Sequence, residues 1–577
     1  MGVEVRVEGL TKSFGRQLIW GDVTLTLPAG EISVMLGPSG TGKSVFLKTL
    51  IGLLKPDRGH IHIEGHDIAT CREHELYQVR RLFGVLFQDG AMFGSMNLYD
   101  NVAFPLREHT KKSESEIRRI VMEKMEMVGL IGAEKKLPGE ISGGMRKRAG
   151  LARALVLDPE ILLIDEPDSG LDPVRTAYIN QLFVDLNAQI EATFLIVTHD
   201  INTARTLPDN IGLLYNRHLR DVRSARDAAV VAGAGRRAVP QRPAGRTDRH
   251  ERGEGRRRAR RGVERQHAAA AAHPRPTAAL RRPPTAYSAA GRRLVPPQRG
   301  HPAARLVRRR HGHDPGRHRM SVNTVTKPIA TTGRLFAFGL DVFFALFRRP
   351  FQLREFVQQA WFIASVTIVP TALVAIPFGA VIALQVGGLI SQFGAQSFVG
   401  SAAVLAVIRE AGPIATALLI AGAGGSAIAA DLGARKIREE LDAMQVLGID
   451  PIQRLVVPRV LAAMVVAVFL NGLVSVVGVM GGYFFNVVLQ DGTPGAYLAS
   501  FTALAQLPDL WQGMAKALIF GMIAAIVASY KGVNAGGGPK GVGDAVNEAV
   551  VITFLLLFVV NFVMSAIYFQ LVPPKGA

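Results

Sequence analysis

Five stretches in the second half of this 577-residue chain, about 361–390, 403–430, 456–485, 513–530 and 549–570, are apolar and carry few charges or none. Each covers the roughly 20 residues that an α-helix needs to cross a hydrocarbon core. Inside a lipid slab every backbone group must be satisfied within the segment, so such runs fold as membrane helices. An ordinary soluble protein is excluded. A shorter apolar stretch, Leu335–Phe347, is amphipathic and flanked by Arg334, Arg348 and Arg349, which suits a helix lying in the membrane interface.

Charge in the loops orients the bundle. Lys327, Arg334, Arg348, Arg349 and Arg354 precede the first span. Arg435, Lys436, Arg438, Arg454 and Arg459 follow the second, and Lys531 and Lys540 follow the fourth. The 391–402 and 486–512 loops hold no Lys or Arg. Basic loops stay in the cytoplasm, so the first three are expected there and the last two outside, which leaves the C-terminus outside.

Residues 1–220 read differently. Short apolar runs, Glu31–Leu36, Gly84–Phe87 and Ile161–Ile164, alternate with longer helical patterns, as in a soluble α/β domain. Met1–Leu10 carries three charges and no apolar core, so no signal peptide is expected. Cys71 is the one cysteine, which rules out a disulfide within the chain and fits a reducing compartment.

The net charge of +20 would suggest a nucleic-acid partner, but it is local. Residues 221–319 hold 26 Arg, no Lys and 7 acidic residues, leaving 41 basic against 40 acidic residues elsewhere. This segment also lacks Asn, Ile, Phe, Met and Trp. Its composition is that of a GC-rich gene read in the wrong frame, with Met320 as the start of a second protein. The alternatives are a disordered linker, since nothing in it can build a core, or an Arg-rich arm for nucleic acid or anionic lipid. The domains expected are therefore 1–220, the segment 221–319, and 320–577.

Gly37-Pro38-Ser39-Gly40-Thr41-Gly42-Lys43-Ser44 fits the phosphate loop G-x-x-x-x-G-K-[ST], between an expected strand and a helical pattern from Val45. Its glycines let backbone N–H groups close around phosphate oxygens at a helix N-terminus. Lys43 is expected on the β/γ-phosphates, and Ser44 on Mg²⁺. The strand Ile161–Ile164 ends in Asp165 and Glu166: the first is placed to hold Mg²⁺, the second to act as general base on the attacking water. ATP and Mg²⁺ are the cofactors implied.

Ile141-Ser142-Gly143-Gly144-Met145, just upstream, resembles the signature motif of ABC-transporter ATPases, with Ile where that family usually has Leu. The resemblance covers residues 1–220 and implies further roles. Phe14 would stack on adenine. Gln88 would join the metal set and sense both the γ-phosphate and the membrane domain. Ser142, Gly143 and Gly144 would bind the ATP held by an opposing ATPase domain, Asp172 would lie in the loop that crosses between the two, and His199 would contact the γ-phosphate. The basic run Arg146-Lys147-Arg148 reads as a solvated helix face.

In the 431–459 loop, Ile437, Leu441, Met444 and Leu447 recur at helical spacing. Arg438, Glu439, Glu440 and Asp442 cover the rest, and Gly448 and Pro451 end the pattern. This is a short amphipathic helix that an ATPase groove could push. Ala430-Asp431-Leu432-Gly433, Glu440-Leu441-Asp442-Ala443-Met444, Gly448-Ile449-Asp450-Pro451 and Val457-Pro458-Arg459 resemble the MlaE/YrbE permease family, as do Arg409-Glu410-Ala411-Gly412-Pro413 and Gly537–Gly543. That resemblance covers about 325–572, and the N-terminal half is similar to the ATPase of actinobacterial Mce systems. It implies MCE-family substrate-binding partners and lipid movement across the cell envelope. Arg409 and Glu410, within an apolar stretch, read as a structural pair with each other or as a lipid-headgroup contact.

The expectation is an α/β P-loop NTPase domain joined to an all-α membrane domain of about five transmembrane helices with an N-terminal interfacial helix. It would work in the cytoplasmic membrane with a second ATPase–permease half, a second copy or a different YrbE-like permease, and without nucleic acid. The cargo would be phospholipid, fatty acid or sterol. The rivals are an importer of a small polar solute, an ABC-type ATPase that transports nothing, and a membrane scaffold with an inactive ATPase.

Overall fold

A computed structural model describes residues 2–224, 322–349, 351–393, 398–489, 493–501 and 505–572. The Arg-rich segment lies outside the described residues from residue 225 onward.

The N-terminal part is built on two sheets. Strands β1 (Val5–Phe14), β2 (Gln17–Leu27), β4 (Arg58–Ile63) and β5 (His66–Asp67) form an antiparallel sheet in the order β2-β1-β4-β5. Strands β3 (Ile32–Leu36), β6 (Phe83–Leu86), β7 (Ile161–Asp165), β8 (Thr193–Thr198), β9 (Asn210–Tyr215) and β10 (His218–Ser224) form the second, ordered β10-β9-β3-β8-β7-β6. The four strands β3, β8, β7 and β6 are parallel, with Val34 opposite Ile196 and Leu163 opposite Leu195. Strands covered on both faces carry near-continuous apolar runs, and every residue of β6, β7 and β8 is buried. The expected strand bounds hold to within one residue.

The helices around these sheets are α1 (Lys43–Leu50), α2 (Glu73–Arg80), α3 (Leu98–His109), α4 (Glu114–Met127), α5 (Gly143–Leu155), α6 (Pro173–Ile190) and α7 (Ile201–Thr206). Their starts follow capping rules. Ser142 accepts from the Met145 N–H at 3.3 Å to begin α5. Asp172 accepts from Val174 and Arg175, with Pro173 in the first helical turn, to begin α6.

The C-terminal part is helical: α8 (Val322–Ala345), α9 (Leu353–Gln392), α10 (Val399–Ile437, with π-helical turns at Val407–Ala411 and Ile420–Gly425), α11 (Glu440–Val446), α12 (Val457–Leu489, entered through a π turn at Ile452–Val456), α13 (Pro494–Ala499), α14 (Leu507–Val533) and α15 (Gly538–Leu571). Among the described residues α9, α10, α12, α14 and α15 are long and apolar enough to cross a membrane. They contain the five expected spans and extend beyond them, because the helices continue past the apolar slab into polar turns. The expected interfacial stretch Leu335–Phe347 falls on the longer α8 and the turn after it. Close helix approach rests on missing side chains: a Cβ at Gly379 on α9 would sit 1.9 Å from the Gly478 carbonyl oxygen on α12.

Arg409 and Glu410 do not pair with each other. Arg409 Nε lies 2.5 Å from Asp509 Oδ1 on α14, and the Tyr568 hydroxyl donates to the same oxygen at 2.6 Å. Glu410 accepts from Lys516 Nζ at 2.8 Å and from Asn561 and Ser565. Both reach the same two helices, α14 and α15, but at different levels: Arg409 meets Asp509 and Glu410 meets Lys516, seven residues further along α14.

Candidate nucleotide site and its joint with the membrane domain

The candidate site gathers at the carboxyl ends of β3, β7, β8 and β6, where ligands of open parallel sheets bind. The phosphate loop leaves β3 and turns into α1 at Gly42. Its φ of 92° is left-handed, and a Cβ there would sit 2.3 Å from Ile19 Cγ2, so glycine alone fits. Lys43 is buried at 4% exposure, and its ammonium donates to Gly37 O at 2.9 Å and Pro38 O at 3.1 Å. It also stands 3.4 Å from Glu166 Oε1. Thr41 Oγ1 donates to Pro38 O at 2.9 Å and tightens the same loop.

Glu166 follows β7 with φ of 42°, a strained left-handed conformation for a residue with a side chain. Its N–H bonds to Val197 O at 2.9 Å, which fixes the turn to β8. His199, just past β8, places Nδ1 3.4 Å from Glu166 Oε2. The structure therefore brings Lys43, Glu166 and His199 together, with one carboxylate between the Lys43 ammonium and the His199 ring. Gln88, after β6, donates to Ser169 Oγ at 3.5 Å beside them.

Asp165 tests whether these residues fit a cation. Burial pushes its carboxyl up to about 6, against the opposing hydrogen bond from Ser44. Its Oδ1 is buried and has no hydrogen-bond partner among the described residues. A buried carboxylate oxygen beside a serine hydroxyl is an oxygen donor set suited to Mg²⁺.

Phe14 ends β1 with 49% of its surface exposed and Lys12 Nζ 5.5 Å from its ring centre, a flat apolar platform at the domain edge. Ser142 and Gly144 stand elsewhere, on a hollow of about 470 Å³ shared with Leu171, Val174 and Tyr178. No hydrogen bond or ion pair among the described residues joins Ser142, Gly143, Gly144 or Asp172 to the phosphate loop.

Sequence reading missed two residues. Lys147 does not lie on a solvated face. It is 4% exposed, and its ammonium donates to the carbonyls of Glu166 (3.0 Å), Pro167 (2.9 Å) and Ser169 (2.6 Å). Its neighbours are engaged as well: Arg146 pairs with Asp89 at 3.2 Å, and Arg148 donates to Val128 O and Gly129 O at 2.8 Å. Asp168 is the second, accepting from Thr198 Oγ1 at 2.5 Å and tying the loop after Glu166 to β8. Nothing local distinguishes a buried lysine from a solvated one when its acceptors are backbone carbonyls about 20 positions away.

The joint with the membrane domain is α11, seated against the ATPase-like domain. Ala443 and Val446 pack in one core with Val85 and Phe87, and Leu441 and Met444 in another with Phe93 and Phe104. The expected helix through Ile437 is corrected. The chain breaks at Glu439, whose φ is 59°, so Ile437 belongs to α10 and α11 begins at Glu440. The charged side of this helix is buried too: Glu440 is 0% and Asp442 8% exposed. Lys48 on α1 bonds Glu439 Oε1 at 2.8 Å and Asp442 Oδ2 at 2.9 Å. The Gly94 N–H donates to Glu440 Oε1 at 3.4 Å, and Arg454 pairs with Glu108 at 3.1 Å. Arg153 of α5 fixes the loop behind this surface, donating to Ala91 O at 2.7 Å and Gly90 O at 3.0 Å and lying 5.1 Å from the centre of the Phe93 ring.

Known proteins share both halves. The family model for ABC transporters matches residues 20–169, and that for the permease MlaE matches residues 356–567. The chain is 72% identical over 236 residues, 40% of its length and 66% of the relative's, to the "Probable ribonucleotide transport ATP-binding protein mkl" of Mycobacterium tuberculosis. It thus spans just under two thirds of that relative. It is 43% identical over 205 residues (36% of this chain, 78% of the relative) to the "Intermembrane phospholipid transport system ATP-binding protein MlaF" of Haemophilus influenzae. The Escherichia coli K12 protein of that name is 39% identical over 217 residues (38% and 80%).

Proposed function

We propose that this chain, which belongs to the ABC-transporter family and joins an ABC ATPase domain to an MlaE permease domain, is the ATP-hydrolysing component of a lipid transporter of the Mce/Mla type. The observation that carries this reading is the Lys48 contact. The helix that opens with the phosphate-loop lysine Lys43 also holds Glu439 and Asp442 of the permease, so a change at the phosphates is delivered to α11. The phospholipid named for the MlaF relatives and the permease match support a lipid cargo.

In this reading Lys43 and the loop Gly37–Ser44 hold the β/γ-phosphates, and Phe14 stacks on the base. Glu166 takes a proton from the attacking water while His199 and Gln88 orient the γ-phosphate. Ser44 and Asp165, with Gln88 beside them, would hold Mg²⁺, which would supply positive charge against the phosphates. Ser142, Gly143, Gly144 and Asp172 serve the nucleotide of a second ATPase domain, so closure of two domains completes each site. That second half is another copy or a different YrbE-like permease with its ATPase, and MCE-family proteins pass the lipid. The membrane is the cytoplasmic one, with the ATPase on its inner face. Residues 1–220 are the ATPase and 320–577 the permease. The segment between them is either a tether that raises the local concentration of one domain at the other or the mark of two adjacent reading frames, and resequencing the DNA across it separates the two.

A polar-solute cargo is the second reading, favoured by the ribonucleotide named for the mycobacterial relatives. Phosphate release by the full chain in nanodiscs, titrated with phospholipid, fatty acid, sterol and ribonucleotide, decides between them. Stimulation by a lipid and none by ribonucleotides is expected, and the reverse overturns the lipid reading. Glu166→Gln should lower the rate by roughly 10²–10⁴-fold with ATP binding intact.

A further inference from the structure

Three membrane helices end on one hollow. α10 closes at Ile437, α12 is entered at Ile452, and α14 stops at Val533. Lys436, Ile452, Gln453, Val533 and Asn534 line the same cavity of about 860 Å³, whose other walls are α8, α11 and the ATPase residues Tyr77 and Arg80. Helices that leave the apolar slab together mark the level where hydrocarbon gives way to headgroups. The volume falls within the roughly 300–1,000 Å³ of ligand pockets.

The lining carries both signs of charge. Arg80, Arg348 and Lys436 are cationic; Asp341 and Asp450 are anionic. Arg348 Nη1 stands 3.9 Å from Asp450 Oδ2, a loose contact, and Lys436 is held by Asp442 at 2.7 Å. Gln453 Nε2 is a buried donor with no partner among the described residues. Phe338, Phe344, Leu441 and Ile449 supply an apolar side. A lone phosphate would sit against two carboxylates, and a lone amine against three cations. A headgroup that carries both satisfies the lining: phosphate toward Arg80, Arg348 and the Gln453 amide, primary amine toward Asp341 and Asp450, acyl chain along the phenylalanines.

We infer that this cavity binds the headgroup of a zwitterionic phospholipid with a primary amine, as a resident of the ATPase–permease joint and not as cargo. Arg80 Nη1 already donates across that joint to Gln445 O at 3.3 Å, so a headgroup beside it braces α2 against α11. The inference needs the membrane placement of the proposed function but not its choice of cargo.

The test is native mass spectrometry of the detergent-solubilised full chain, wild type and Arg348→Gln/Asp341→Asn, equilibrated with phosphatidylethanolamine, phosphatidylglycerol or phosphatidylcholine. Both side chains are exposed, and nucleotide binding checks the fold of the variant. Phosphatidylethanolamine should stay bound to the wild type, at least about tenfold better than the other two, and the double variant should lose that preference. Equal retention of the three lipids, or an unchanged preference in the variant, overturns the inference. So does displacement by millimolar soluble phosphoethanolamine, which would make a free metabolite the ligand. Absence of lipid-stimulated ATPase in the wild type, with its preference for phosphatidylethanolamine present, would sink the cargo reading alone.

Discussion

Lys48 Nζ lies 2.9 Å from Asp442 Oδ2, and the helix that carries Lys48 begins at Lys43. The two residues stand 394 positions apart and join the phosphate loop to the permease by one side-chain contact. Burial by itself would depress the Lys48 ammonium, but the carboxylates of Glu439 and Asp442 hold it raised. Burial would likewise raise Asp442, and Lys436 and Lys48 hold it below the usual carboxylate range. The pair therefore stays charged through neutral pH, and its contribution is set by distance and not by protonation.

A double-mutant cycle on Lys48→Ala and Asp442→Ala should give a coupling of about 1–3 kcal/mol, the range for contacting residues in one charge network. Lys48→Ala should remove most of the substrate-stimulated ATPase while the basal rate stays within about twofold. Additive single effects would show that the contact transmits nothing.

Asp165 makes the nucleotide-free protein sensitive to pH. Its folded value, about 6, lies above the ordinary 3.8, so the folded state holds the proton more tightly than the unfolded one. Stability is then full below the unfolded value and falls as pH rises from about 4 to about 6. In Mg²⁺-free buffer, Asp165→Asn should raise stability at pH 7.5 by on the order of 2 kcal/mol and by much less near pH 4. Denaturant melts at the two pH values measure this, and an equal gain at both would refute it.

Lys147 positions the loop behind Glu166. Lys147→Met removes three charge-assisted hydrogen bonds to carbonyls and frees a strained backbone. We expect kcat to fall about tenfold with KM for ATP within about twofold, and Lys147→Arg to recover part of it. Steady-state phosphate release gives both constants. A change in KM alone would mean that Lys147 acts on binding.

Gly379 and Gly388 lie on the same helix in different surroundings. A Cβ at Gly379 meets the Gly478 carbonyl, whereas one at Gly388 meets nothing within 4 Å. Gly379→Ala should destabilise the solubilised protein by about 1–3 kcal/mol or more through overpacking, and Gly388→Ala should be neutral. Thermal melts in detergent separate the two.

Much of the fold was legible because its signals are local. Apolar length marked the five membrane helices, and unbroken apolar runs marked β3, β6 and β7. The order of the phosphate loop, Asp165-Glu166 and His199 pointed to one site, from which Ser142–Gly144 stand apart. The errors share a cause. Lys147 reads as solvated and Glu440 and Asp442 as the charged side of an amphipathic helix because a charge carries no local mark of burial, and adjacency suggests the pairing of Arg409 with Glu410 that is one of their two readings. The turn at Glu439 was missed because only its backbone conformation breaks the helical pattern, not its side chain.

The sequence by itself determined which segments are apolar enough to leave water and which residues carry phosphate chemistry, since hydrophobic length and motif spacing are properties of neighbouring positions. Only the tertiary structure decided which charges meet: Lys48 with Glu439 and Asp442, Arg409 with Asp509, Glu410 with Lys516, and Lys147 with the carbonyls behind Glu166. An ion pair forms between whichever side chains packing brings within about 4 Å, and burial then makes that choice costly to undo.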